Sequence, residues 1–179
     1  LTQGMVCKET MKCPEHGYLF PEQVVDGKCA TCQKEVIIGK TEKMSKSLGN
    51  FFTLEEVLQR GFDPMAVRYL LISTHYRKLL NFTFENLEMA TQSLNRIKNF
   101  EFVLENLQNP DEADPQTAVL IAEGEKAFAD HMIDDFNISG ALGALFDFIN
   151  KMNQRIKKLK KKDAVQVLAF LQRLNSVLG

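Results

Sequence analysis

Through the second half of the chain, apolar residues recur at intervals of three and four. Leu87, Ala90, Leu94, Ile97, Phe100, Leu104 and Leu107 trace one stripe, and Leu142, Leu145, Ile149, Met152, Ile156 and Leu159 trace a second. Ala164, Leu168, Leu171, Leu174 and Leu178 form a third. This spacing places each set on one side of a helix, so the stripes predict amphipathic helices that bury those faces together as an antiparallel bundle. Asp114-Pro115 opens a further helix carrying Leu120 and Phe128, after an exposed acidic linker that begins at Asn109. Earlier, Thr53-Leu54-Glu55-Glu56 has the form of a capping box, and Gly61 stops the short helix it starts. Asp63-Pro64 opens another helix, expected to bury Met65, Tyr69 and Ile72. The first forty residues lack a helical period; 1–6, 18–20 and 35–38 read as short strands. The expected fold class is mainly α, with a small β segment at the N-terminal end.

Composition narrows the partners. The 179 residues are 45% hydrophobic and 25% charged, enough for one medium domain or two small ones with real cores. A net charge of -1 leaves no global field to draw in nucleic acid, so any RNA contact must come from local basic surface. Arg155, Lys157, Lys158, Lys160, Lys161 and Lys162 form the strongest such cluster, read either as a solvated helix end or as phosphate contact. Asp134 and Asp135 read as a helix cap and solvated turn, not a metal site. No run of about 18 apolar residues occurs and no leader pattern is seen, so no membrane association and a cytoplasmic location are expected. The chain begins at Leu1, not Met, and is expected to be a piece of a longer protein.

Cys13-Pro14-Glu15-His16 is followed, after twelve residues, by Cys29-Ala30-Thr31-Cys32. Two tight turns that each offer paired soft ligands make a zinc-ribbon-like pattern, with Cys13, His16, Cys29 and Cys32 around Zn²⁺. Cys7 in place of His16, or no metal at all, are the alternatives. So short a segment has little core of its own, and a metal would substitute for one.

Lys43-Met44-Ser45-Lys46-Ser47-Leu48-Gly49-Asn50 gathers two ammonium groups, two hydroxyls and a glycine into a compact anion grip. Composition alone favours a solvated surface loop. The order Lys-Met-Ser-Lys-Ser, however, resembles the signature KMSKS loop of class I aminoacyl-tRNA synthetases. The continuation Leu48-Gly49-Asn50-Phe51-Phe52-Thr53 is similar to the cysteinyl members, as are Val67-Arg68-Tyr69, His75-Tyr76-Arg77, Leu80-Asn81-Phe82 and the acidic turn from Phe128 to Asn137. In that turn Ile138-Ser139 stands where the family usually has Thr-Pro. The stretch from Leu1 to Gly39 looks more like leucyl or related synthetases.

The resemblance implies the C-terminal half of a cysteine–tRNA ligase, which activates cysteine with ATP and Mg²⁺ and transfers it to tRNA. It implies that Lys43 and Lys46 are catalytic and that Lys43, Met44, Ser45, Lys46 and Ser47 bind ATP; the zinc is read as structural from the shortness of its segment. Arg68, His75, Tyr76, Arg77, Lys158, Lys161 and Lys162 would contact tRNA. Residues 1–50 would end the nucleotide-binding domain, 51–109 would form stem-contact helices, and 110–179 a bundle on the anticodon side of a monomer. Class I enzymes also use a His-x-Gly-His motif, and none of His16, His75 or His131 lies in one. The isolated chain is therefore expected to be inactive. A leucyl-type synthetase, a cysteine:sugar-amine ligase and a noncatalytic tRNA-binding module are the alternatives.

Overall fold

A computed structural model describes residues 5–109 and 112–178. Most of the strand expected over 1–6, and Pro110 and Asp111 of the expected linker, lie outside the described residues. The chain forms two compact units, Leu1–Thr91 and Gln92–Gly179.

The first unit is built on β1 (Val6–Cys13). It pairs antiparallel with β2 (Gly17–Leu19), with Met11 opposite Leu19. A small hairpin of β3 (Val24–Val25) and β4 (Lys28–Cys29) follows. The long partner of β1 is β5 (Ile37–Lys43), which places Cys7 opposite Lys43 and Lys12 opposite Ile37. The register shifts between Glu9 and Met11, where buried Thr10 approaches β5 so closely that a Cβ at Gly39 would lie 2.6 Å from its hydroxyl. A larger residue there would force the Thr10 side chain out of its place.

Two helices follow the sheet. In α1 (Leu54–Gln59), the Thr53 hydroxyl accepts the Glu56 N–H at 3.1 Å and the Glu56 carboxylate accepts the Thr53 N–H at 2.7 Å, closing the expected capping box. In α2 (Pro64–Ser73), Asp63 caps the first turn. Its buried face is Ala66, Val67 and Leu70 rather than the expected Met65, Tyr69 and Ile72, and Met65 is exposed. The buried face is thus rotated by about one position from the one that the largest side chains mark out. β6 (Leu80–Asn81) then returns to the start of β1 in parallel, with Leu80 opposite Val6.

Helix α3 (Phe84–Glu105) begins in the first unit and ends in the second. The second unit also contains α4 (Pro115–Ile133), α5 (Ile138–Gln154) and α6 (Lys161–Leu178). Leu142, Leu145, Ile149 and Met152 are buried along α5 as their spacing requires, and Phe148 joins them. On α6 the buried face is Ala164, Val167, Phe170, Leu171 and Leu174; Leu168 is only half-buried. Phe170 meets Phe148 edge-on, with ring centroids 4.7 Å apart, a favoured aromatic geometry that sets the turn of α6.

The α4–α5 turn is capped by Asn137, whose side chain accepts the Gly140 N–H at 3.0 Å. Asp134 instead ends α4, so the acidic pair does not supply the cap expected of it. Asp163 is fully buried and accepts the backbone N–H groups of Asp114 at 3.0 Å and Lys160 at 2.9 Å. Arg155 also ion-pairs with Asp114. The C-terminal end of the expected linker is thereby pinned to the α5–α6 junction rather than solvated.

Candidate functional site

The metal-ligand candidates converge because β1 and β2 form a turn at Cys13–Gly17 while the β3–β4 hairpin brings Cys29 back over it. The donor atoms of Cys13, His16, Cys29 and Cys32 all lie within 4.8 Å of one another. His16 Nδ1 is 3.6 Å from both Cys13 Sγ and Cys29 Sγ, and Cys13 Sγ is 3.4 Å from Cys32 Sγ. Tetrahedral zinc with sulfur at about 2.3 Å and nitrogen at about 2.1 Å requires donor separations of roughly 3.6–3.8 Å. The residues therefore fit such an ion. Cys7 occupies the other end of β1, six residues and about 20 Å from Cys13 along the strand, and does not belong to this group.

The cluster also polarises its own ligands. Burial pushes the Cys13 thiol up, but hydrogen bonds from the backbone at His16 and Glu15 and from the His16 and Cys32 side chains outweigh it and bring it down to about 6. The Cys13 and Cys29 side chains raise the His16 imidazole. Backbone hydrogen bonding, chiefly at Cys32, lowers Cys29. At Cys32 a backbone hydrogen bond at Lys34 pulls down, but burial and the neighbouring thiols prevail and raise it to about 11. Glu15 and Lys34 brace the two knuckles with an ion pair at 2.6 Å. Only Cys13, Leu19 and Cys29 are buried beneath them, with Met11, Val24, Cys32 and Val36 packed around.

The lysine loop leaves the opposite end of the same sheet. Lys43 is the last residue of β5, and the Met44 N–H donates to Val6 O at 3.0 Å. Met44 and Ser45 are half-buried, while Lys43, Lys46 and Ser47 are exposed. The Ser45 and Ser47 hydroxyls lie 2.8 Å apart. Gly49 takes a φ of +67°, in the left-handed region where glycine is unstrained, and its N–H donates to Lys46 O at 3.1 Å. The loop is closed at its base by fully buried Asn50, whose amide donates to Lys43 O at 3.0 Å and accepts the Ser45 N–H at 2.8 Å. Sequence reasoning gave Asn50 no role. Its signal was an amide placed just after a turn glycine, able to donate and accept at once.

The residues read as RNA contacts fall in both units. Arg68 is exposed on α2. His75 and Tyr76 stack with centroids 4.8 Å apart, and the Arg77 guanidinium lies 5.3 Å from the Tyr76 ring centroid and donates to its hydroxyl at 2.9 Å. In the second unit Lys158, Lys161 and Lys162 are exposed around the start of α6. That position is a helix N-terminus, where the dipole disfavours cations, so the macrodipole does not account for the lysines gathered there. Lys162 is engaged by Glu112 at 2.6 Å.

Comparison with known proteins adds a second line. Residues 31–92 match the tRNA synthetases class I (C) catalytic domain, and residues 127–179 match the DALR domain. In two successive segments the chain is thus similar to class I aminoacyl-tRNA synthetases. Its relatives include the cysteine–tRNA ligase of Chlamydia felis, 45% identical over 148 residues that are 77% of this chain and 30% of that protein. Those of Protochlamydia amoebophila and Brachyspira hyodysenteriae are 39% and 34% identical over 147 and 150 residues. These cover 81% and 83% of this chain and 30% and 31% of those proteins, so the chain spans about a third of its curated relatives. The LeuRS–tRNA–LeuAMS ternary complex from Agrobacterium radiobacter shares the fold, with a TM-score of 0.56 and 22% identity over 74% of this chain and 18% of that one. The synthetase match begins at residue 31, so β1 and the first metal knuckle precede it. Among the described residues no helix is long and apolar enough to cross a membrane.

Proposed function

We propose that this chain is the segment of a cysteine–tRNA ligase that closes over ATP during cysteine activation and carries part of the tRNA-binding surface. The observation that carries this reading is the lysine loop: two exposed lysines and a paired set of hydroxyls project from a base locked by a buried amide. When a carboxylate attacks the α-phosphate of ATP, negative charge grows on the phosphoryl oxygens and the departing pyrophosphate. Lys46 and Lys43 would neutralise that charge, Ser45 and Ser47 would donate to phosphate oxygens, and Met44 would anchor the loop from below; Mg²⁺ bound with the ATP would supply further positive charge. Loop closure excludes water from the adenylate. Cys13, His16, Cys29 and Cys32 hold a structural zinc, which cross-links the two knuckles when bound.

Residues 1–50 complete the nucleotide-binding domain, 51–109 contact the tRNA stem, and 110–179 lead towards the anticodon. Arg68, His75, Tyr76 and Arg77 supply charge and stacking surface to the RNA, and Lys158, Lys161 and Lys162 supply phosphate contacts. The whole protein acts in the cytoplasm as a monomer.

The test is ATP–pyrophosphate exchange by the complete protein that contains this segment. Cysteine should stimulate exchange and leucine should not; stimulation by leucine alone would overturn the assignment. The isolated 179 residues contain no His-x-Gly-His motif and should show no exchange with either amino acid.

The RNA role is tested separately. Replacing Lys158, Lys161 and Lys162 together by alanine should weaken tRNA binding and flatten its salt dependence. The expected change in slope is about three, roughly one for each lost phosphate contact, because the Lys162–Glu112 pair is solvent-exposed and does not withhold that lysine from phosphate. An unchanged slope in filter-binding titrations would leave this cluster a solvated surface.

A further inference from the structure

Lys8 is a charge that the mechanism above does not use. It sits in the middle of β1, only 5% exposed, and its ammonium rests 4.4 Å from the Phe52 ring centroid and 5.2 Å from that of Phe20. Among the described residues no carboxylate closes an ion pair with it. The two acidic groups that act on it are committed elsewhere: Glu22 pairs with Arg60, and Glu56 caps α1. Burial pushes the Lys8 pKa down, and Glu22 and Glu56 only partly offset this. Such a lysine carries a desolvation cost that a methionine would avoid.

The arrangement around it joins the two ends of the molecule's chemistry. Phe52 follows Asn50 by two residues, at the exit of the lysine loop. Its ring lies 5.4 Å from Phe20, which follows the first metal knuckle, and 4.8 Å from Phe84. The Arg60 guanidinium covers Phe84 at 4.5 Å. On the backbone side, Lys8 faces Glu42 and its neighbour Cys7 faces Lys43, so β1 also holds the loop's entry. One residue of β1 thus grips the exit through its side chain while the strand grips the entry through its backbone.

We propose that Lys8 is a positioning residue for the lysine loop, acting through Phe52 to hold the loop's exit against the sheet that carries the metal knuckle. This gives the buried charge a purpose: a desolvated cation over aromatic faces is a directional contact that an apolar side chain does not reproduce. It takes its catalytic meaning from the loop's proposed role with ATP, but the test below involves no nucleotide, so the two ideas fail independently.

The test is amide hydrogen exchange in the zinc-loaded 179-residue chain, comparing the wild type with Lys8→Met and Lys8→Arg. Lys8→Met should speed exchange of the Ser45 and Gly49 amides by about tenfold, the equivalent of losing one desolvated cation–aromatic contact. Exchange across the β1–β2 pairing, zinc content and thermal midpoint should be retained or improved. Lys8→Arg should restore slow loop exchange, because it keeps the cation. Loop exchange unchanged in Lys8→Met would overturn the proposal, since a packing role survives that substitution. Failure of the arginine variant to rescue a loosened loop in an otherwise intact sheet would also overturn it.

Discussion

Lys46→Ala in the complete protein is expected to slow cysteinyl-adenylate formation by about 10²–10³-fold, the usual cost of removing one donor aimed at developing charge. Affinity for tRNA should stay within about twofold, because the loop's proposed partner is ATP phosphate and not RNA. The two lysines of the loop are not equivalent. Lys43 ends β5 opposite Cys7 and is fixed by strand pairing, whereas Lys46 stands exposed in the turn beyond the Asn50 latch. A residue that follows the phosphates as the loop closes contributes more in the transition state than in the ground state. Lys46→Ala should therefore lower kcat with little change in KM for cysteine, and Lys43→Ala should have the smaller effect. Single-turnover adenylate formation gives the answer: an unchanged rate removes Lys46 from the transition state, and a rise in KM alone makes it a ground-state contact.

How much of this was legible in the sequence follows from how local each signal was. The capping box at Thr53, the proline starts at Pro64 and Pro115 and the four metal-ligand candidates were readable because each depends on residues only a few positions apart. The choice of His16 over Cys7 was not, because it depends on strand direction: β1 carries Cys7 away from the cluster and turns His16 back into it. The buried face of α2 was misread for a related reason. A large residue such as Met65 dominates a periodicity argument, but it is the small Ala66 that is buried and Met65 that is exposed. Asp163 follows a lysine run and carries no local signal of burial. Its role as a buried acceptor emerges only when Asp114 arrives from 49 residues away. The contact between Lys8 and Phe52 is not legible in the sequence because it requires β1 and the exit of the loop to be neighbours in space.

Removal of zinc is expected to unfold residues 13–32 locally while the helices of the second unit remain. The reason is the size of the core: three buried residues, two of them ligand candidates, lie under the knuckles, and so small a cluster does not offset the entropy of ordering its turns. Freshly purified chain should carry stoichiometric zinc. Chelation should open the 13–32 region to protease with little loss of far-ultraviolet helical signal. Cys29→Ser should behave like the chelated protein and Cys7→Ser like the wild type, because Cys7 lies outside the cluster. Acidification should have the same effect as chelation, since thiolate and neutral imidazole are the binding forms and protons compete with the ion. Fresh protein without zinc would end the ribbon assignment. A chelated chain that kept 13–32 protected would show that β1–β2 pairing and the Glu15–Lys34 brace suffice to hold the knuckles together.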